Sequence, residues 1–238
     1  MSAAVPFPSA PFGAQAAAGG APAPLGAGRS DTATEAQADG AAGAPRKRPR
    51  PGERRIQILQ ALAAMLEQPD ADRITTAALA ARLDVSEAAL YRHFASKAQM
   101  FEGLIEFIES SLFTLFNQIG QTPGDGRDHA RRMVMVLLQF AERNRGMTRV
   151  MVGEALVLEH ERLSARMVQF FDRVESQLRQ SLREAGDAAG SVSASVDAQV
   201  RASALTALVI GRLQRFARSG FKRSPTEHLE ATLALLTA

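Results

Sequence analysis

The stretch Thr75 to Phe94, TTAALAARLDVSEAALYRHF, followed at once by Ala95-Ser96-Lys97, leaves the chain few folds to choose from. Thr75 or Thr76 can cap one short helix and Ser86 a second, because a hydroxyl accepts from backbone amides that the first helical turn leaves unpaired. Asp84-Val85 lies between them, room only for a tight turn. At about 100° per residue, Leu90 and Phe94 share one face of the second helix. Ala88 and Arg92 fall opposite, with Tyr91 and His93 on the flanks. An alanine beside a guanidinium, a phenol and an imidazole can approach base edges. The pair therefore reads as a helix-turn-helix that offers its second helix to a DNA major groove, with Thr75, Thr76, Ser86, Glu87, Ala88, Tyr91, Arg92 and His93 as the candidate surface. The competing reading is a plain helical hairpin in which Tyr91 and His93 are merely half-buried.

Two helices this short bury little alone and need support on both sides. Upstream, Ile56, Leu59, Leu62, Ala63 and Leu66 recur at helical spacing, predicting a helix from Glu53 to about Glu67 that ends near Pro69. Downstream, Ser96-Lys97-Ala98-Gln99 is a capping box, which places Lys97 in the first turn of a long helix and beside the DNA surface, where it suits a phosphate contact. That helix runs to about Ile119 on a stripe of Phe101, Leu104, Ile105, Ile108, Leu112, Leu115, Phe116 and Ile119. Phe107 lies off the stripe, in line with Met100, Ser111, Thr114 and Gln118. Either another helix covers it or it belongs to a partner surface.

Further helices are predicted over 127–145, 147–157, 159–185 and 196–218. Gly146 reads as a helix stop and 186–195 as a small-residue linker. Ser224-Pro225-Thr226-Glu227 combines a serine cap, a proline at the first position and a glutamate at the third, the start of a last helix reaching Ala238. The two late helices carry broader apolar faces than one small domain can bury, which points to a homodimer.

The expected fold is all-α: a three-helix head over 51–98 and a larger helical dimerisation and partner-binding body over 99–238. Residues 1–45 are low-complexity Ala, Gly and Pro, too poor in large apolar side chains to offset their ordering entropy, so 1–50 reads as a disordered tail ending in a basic arm. The formal charge is only +3, but residues 46–55 hold six basic side chains against Glu53. Arg54 and Arg55 continue that arm into the first helix, placed to track phosphates.

There is no cysteine, which removes disulfides and thiolate chemistry and fits a reducing cytosol. No run approaches the roughly 18 apolar residues of a membrane span, and the first residues lack the basic start and apolar core of a secretory signal. His93, His129, His160 and His228 are scattered, with no metal-binding helix motif, phosphate loop or nucleophile elbow around them. We therefore expect no catalytic residues, metal or cofactor.

The run ITTAALAARLDVSEAALYRHFASK resembles the DNA-binding head of the TetR family. Asp84 stands where that family often has glycine, and Ala95 where it often has proline. FxERNxGxTR, RxxQFFxRxExQLRQxLRE and GRLxRFxRSxFKxxPT extend the likeness through residue 238, toward the branch of the family engaged in nucleoid occlusion. The resemblance implies a cytoplasmic, nucleoid-associated homodimer on pseudo-palindromic double-stranded DNA that antagonises assembly of the tubulin-like division GTPase FtsZ. It implies an FtsZ surface on the fourth and fifth helices that includes Phe107, Arg143 and Asn144. Most of the wider family are repressors released by a small ligand, and the head alone does not separate the two. The off-line position of Phe107 favours a protein surface over a ligand pocket.

Overall fold

Hydroxyl caps set the beginnings of the two helices around Asp84-Val85 as expected. The computed structural model describes residues 53–68 and 74–237, so the tail over 1–50 lies outside the described residues. α1 spans Glu53–Leu66, α2 Thr76–Arg82 and α3 Glu87–Tyr91. Thr75, not Thr76, caps α2, accepting from the Ala78 amide at 3.1 Å, and Ser86 caps α3 through the Ala89 amide at 3.3 Å. In the turn between them Asp84 holds φ at 53°, a conformation glycine adopts at no steric cost and aspartate tolerates. The buried stripe of α1 is Ile58, Leu59, Leu62, Ala63 and Leu66. Ile56, expected on it, is 51% exposed, because it sits at the stripe's edge in the first turn.

α4, Lys97–Gly120, leaves the head and becomes the first helix of the body. Ser96 accepts from the Gln99 amide at 3.2 Å, and the Gln99 side chain accepts from the Ala95 amide at 2.8 Å, a capping box shifted by one residue on its return bond. Every residue of the expected stripe is buried. Met100, placed with the polar line, is buried too, because the head covers one side of α4 while the body covers another. A single periodic stripe cannot describe a helix that serves two packing environments.

α5 spans Gly126–Arg143, α6 Arg145–Met151, α7 Glu161–Ala188, α8 Ala194–Arg218 and α9 Leu229–Leu236. α7 and α8 form a long antiparallel hairpin, and α5 is packed against α4, α7 and α8. The linker expected over 186–195 is shorter, since α7 continues to Ala188 and α8 starts at Ala194. The helix expected over 147–157 is α6 followed, after Gly153 at φ 80°, by a 3-10 turn at Glu154–Leu156.

Gly146 is not a helix stop. It lies inside α6, where a Cβ would sit 2.3 Å from the Ala63 carbonyl oxygen of α1, so glycine is needed there for a close approach of head and body. The last helix starts at Leu229 rather than Ser224, because the Ser224 hydroxyl donates to Glu142 at 2.5 Å and Thr226 to the same carboxylate at 3.1 Å. That long-range contact turns the expected cap into a loop anchor.

Candidate nucleic-acid interface

The outward side of α3 carries what its spacing predicted. Leu90 and Phe94 are each 1% exposed, whereas Glu87, Ala88, Tyr91, Arg92 and His93 are exposed, Tyr91 at 46%. Capping leaves the Thr75 and Ser86 hydroxyls their protons, so each can still donate outward, for instance to a phosphate oxygen. Ala88 keeps the centre of the face flat enough for close approach to a groove floor.

Several candidate residues are engaged within the protein. The Thr76 hydroxyl donates to the Glu87 carboxylate at 2.5 Å, tying the first turn of α2 to the first turn of α3. Arg54 is half-buried on α1. Arg55 donates from Nη1 to the His93 carbonyl at 2.9 Å and lies 4.1 Å over the Phe94 ring. Lys97, expected at a phosphate, is ion-paired with Glu159 and lies 5.7 Å from the Phe101 ring centre. Glu159 is only 11% exposed, so the pair acts as a latch between the head end of α4 and the segment that enters α7.

The latch continues along α4. Arg162 meets Glu102 at 2.7 Å, and Arg166 forks onto Glu109 at 3.1 and 2.7 Å. The carboxylate bound to Arg166 raises its already high pKa, the ordinary result for a cation with a hydrogen-bonded anion. These partners are 57 or more residues apart in sequence, and no local pattern announces them.

The residues expected at a partner surface divide. The short connection over 121–125 makes α4 and α5 antiparallel neighbours, so Phe107 lies toward the same end of the pair as Arg143. Phe107 is half-buried, packed against the core cluster, and Arg143 is exposed as the last residue of α5. Asn144 does not fit an exposed contact. It is 9% exposed, its side-chain amide donates to the Phe140 carbonyl at 2.7 Å, and its own carbonyl accepts from the Thr148 amide at 2.9 Å. Its position is the break between α5 and α6, which it holds together. Beside that break, the buried Arg149 guanidinium meets Glu154 at 3.7 Å and lies 5.6 Å from the Phe221 ring centre.

No helix among the described residues is long and apolar enough to cross a membrane. Residues 58–104 match the family described as bacterial regulatory proteins, tetR family, and residues 128–238 match the tetracyclin repressor-like, C-terminal domain of SlmA-like proteins. Solved structures of the same fold include a putative TetR-family transcriptional regulator from Rhodococcus sp., at TM-score 0.64 and 21% identity, covering 78% of this chain and 100% of that one. The regulator FadR from Bacillus subtilis, solved with stearoyl-CoA, aligns at TM-score 0.62 and 13% identity, over 77% of this chain and 97% of its own. At such identities the likeness speaks for the fold. The chain is 52% identical over 178 residues to the nucleoid occlusion factor SlmA of Idiomarina loihiensis, covering 75% of this chain and 90% of that protein. It is 52% identical over 186 residues to SlmA of Vibrio vulnificus strain YJ016, covering 78% and 94%. Head, body and relatives agree, and the chain belongs to the SlmA nucleoid occlusion factors of the TetR family.

Proposed function

We propose that the chain works as a homodimer that docks α3 of each copy in a DNA major groove and, from DNA, antagonises FtsZ assembly so that septa do not form over the chromosome. The observation that carries this reading is identity of about half the residues with nucleoid occlusion factors through both the head and the body. The exposed face of α3 supports the DNA half of it. The partner half rests on Phe107 and Arg143, with Asn144 as the residue that shapes the α5–α6 break rather than a contact. Such a protein acts in the cytoplasm, at the nucleoid.

The dimer is supported by α8, whose exposed side carries Val196 and Val200, 66% and 64% exposed, followed by the small exposed residues Ser203, Ala204 and Ala207. A largely apolar stripe of this length on the outer side of a helical hairpin is what a two-fold four-helix interface buries. The cleft of about 700 Å³ between α7 and α8 is walled by Arg179, Gln180, Arg183, Glu184 and Gln199 beside those valines. Its charged lining is unlike an apolar effector pocket.

The deciding experiment is sedimentation of FtsZ polymers with the purified protein, with and without DNA that it binds. Pelleted FtsZ should fall when both are present. No effect in either condition would favour a repressor released by a small ligand. Phe107→Ala and Arg143→Asp should leave DNA binding intact and abolish the loss of polymer, and the surface assignment fails if polymer loss survives.

A further inference from the structure

α3 has five residues, too few to hold its own position, and two polar contacts meet it at its two ends. At its start the Glu87 carboxylate accepts from Thr76 at 2.5 Å. Two residues past its end, in the turn that closes the segment, the His93 carbonyl accepts from Arg55 at 2.9 Å. The guanidinium of Arg55 is also stacked 4.1 Å over the ring of Phe94, the buried residue that seats the end of the recognition segment in the head. One side chain in the first turn of α1 thus touches both a carbonyl of the turn that follows α3 and the ring that anchors that turn.

These observations reassign two residues whose type alone suggests something else. An arginine in a basic arm suggests a phosphate contact, and a carboxylate on a DNA-facing helix suggests base readout. From this geometry we infer that Arg55 and Glu87 are positioning residues: they brace α3 from its two ends and fix the angle at which Ala88, Tyr91 and Arg92 meet the groove. The inference rests on the DNA-binding reading above.

A planar guanidinium can stack on a ring and donate in its own plane at once, whereas an ammonium cannot. Arg55→Lys, which keeps the charge, therefore separates bracing from phosphate binding. Each neutralised phosphate adds about 0.9 to the slope of log K against log salt. If Arg55 binds a phosphate, Arg55→Met should flatten that slope by about this amount, and Arg55→Lys should bind as the parent does. If Arg55 braces α3, both variants should keep the parent's slope and both should lose specific affinity.

The test uses a duplex that the full-length parent protein selects from a random-sequence pool, together with a scrambled duplex of the same composition. Binding of the parent, Arg55→Lys, Arg55→Met and Thr76→Val, which removes the proton donated to Glu87 while keeping shape and charge, is measured by fluorescence anisotropy across a salt series. We expect each variant to lose about tenfold in affinity for the selected duplex, the worth of roughly one charged hydrogen bond. Affinity for the scrambled duplex should stay within about twofold of the parent, since non-specific binding rests on phosphate charge. A general loss of stability would lower both affinities together and shift the melting temperature, and would overturn the inference. A flattened slope with Arg55→Lys matching the parent would also overturn it. If the pool yields no enriched sequence for the parent, the DNA-binding reading fails and the bracing role falls with it.

Discussion

At Gly146 the absence of one carbon sets how near α6 can come to α1. Gly146→Ala would place a methyl group 2.3 Å from the Ala63 carbonyl oxygen, with Leu66 at 3.1 Å. Backbone cannot step aside as a flexible side chain can, so we expect a loss of about 1–3 kcal/mol, read from urea unfolding. Thr75 and Tyr91 give a contrasting pair. Thr75→Ala should cost about 1 kcal/mol of stability because it removes the cap on the Ala78 amide, and should weaken DNA binding as well. Tyr91→Ala removes a side chain 46% exposed and should weaken DNA binding while leaving the unfolding free energy within about 0.5 kcal/mol of the parent. The two variants together tell a helix-forming hydroxyl from a surface that only meets DNA.

What the residues alone disclose about each helix, and what they do not, follows the reach of its contacts. The starts of α2, α3 and α4 were legible because Thr75, Ser86 and Ser96 bond amides three residues ahead. The start of α9 was not, because Ser224 and Thr226 are held by Glu142, 82 and 84 residues earlier. On the candidate site, the exposed α3 face follows from helical spacing, while the engagement of Lys97 by Glu159 and of Arg55 by His93 depends on tertiary packing that no local pattern encodes. The burial of Asn144 escaped for the same reason: a polar residue at a helix end suggests solvent until its amide is seen on the Phe140 carbonyl. The Glu142 contact carries its own prediction. Glu142→Ala should loosen the 222–226 stretch, leaving Arg212 on the Pro225 and Glu227 carbonyls as a remaining anchor, and limited trypsin digestion should then cut faster at Lys222 and Arg223 than in the parent.

Assembly turns on the exposed side of α8, where Val196 and Val200 face solvent. Val200→Glu would place a charge on each side of the proposed two-fold contact, and sedimentation velocity should report a dimer for the parent and a monomer for this variant. Its affinity for DNA should drop steeply, since a monomer engages one half-site and loses the gain of the second. A Val200→Glu protein that stays dimeric would move the interface elsewhere. Head and body are joined by one continuous buried cluster that runs from Ile58 to Leu233, and α4 passes through both as a shaft of 24 residues, about 36 Å long. The head is therefore held to the body by shared core packing as well as by the chain. In a dimer whose halves keep this packing the two recognition helices stand at a set distance and pitch, whereas inserting one base pair between half-sites turns the far one by about 35° around the DNA axis. This protein should then measure the gap between half-sites as strictly as it reads the bases within them, and a duplex with one added central base pair should bind like a single half-site.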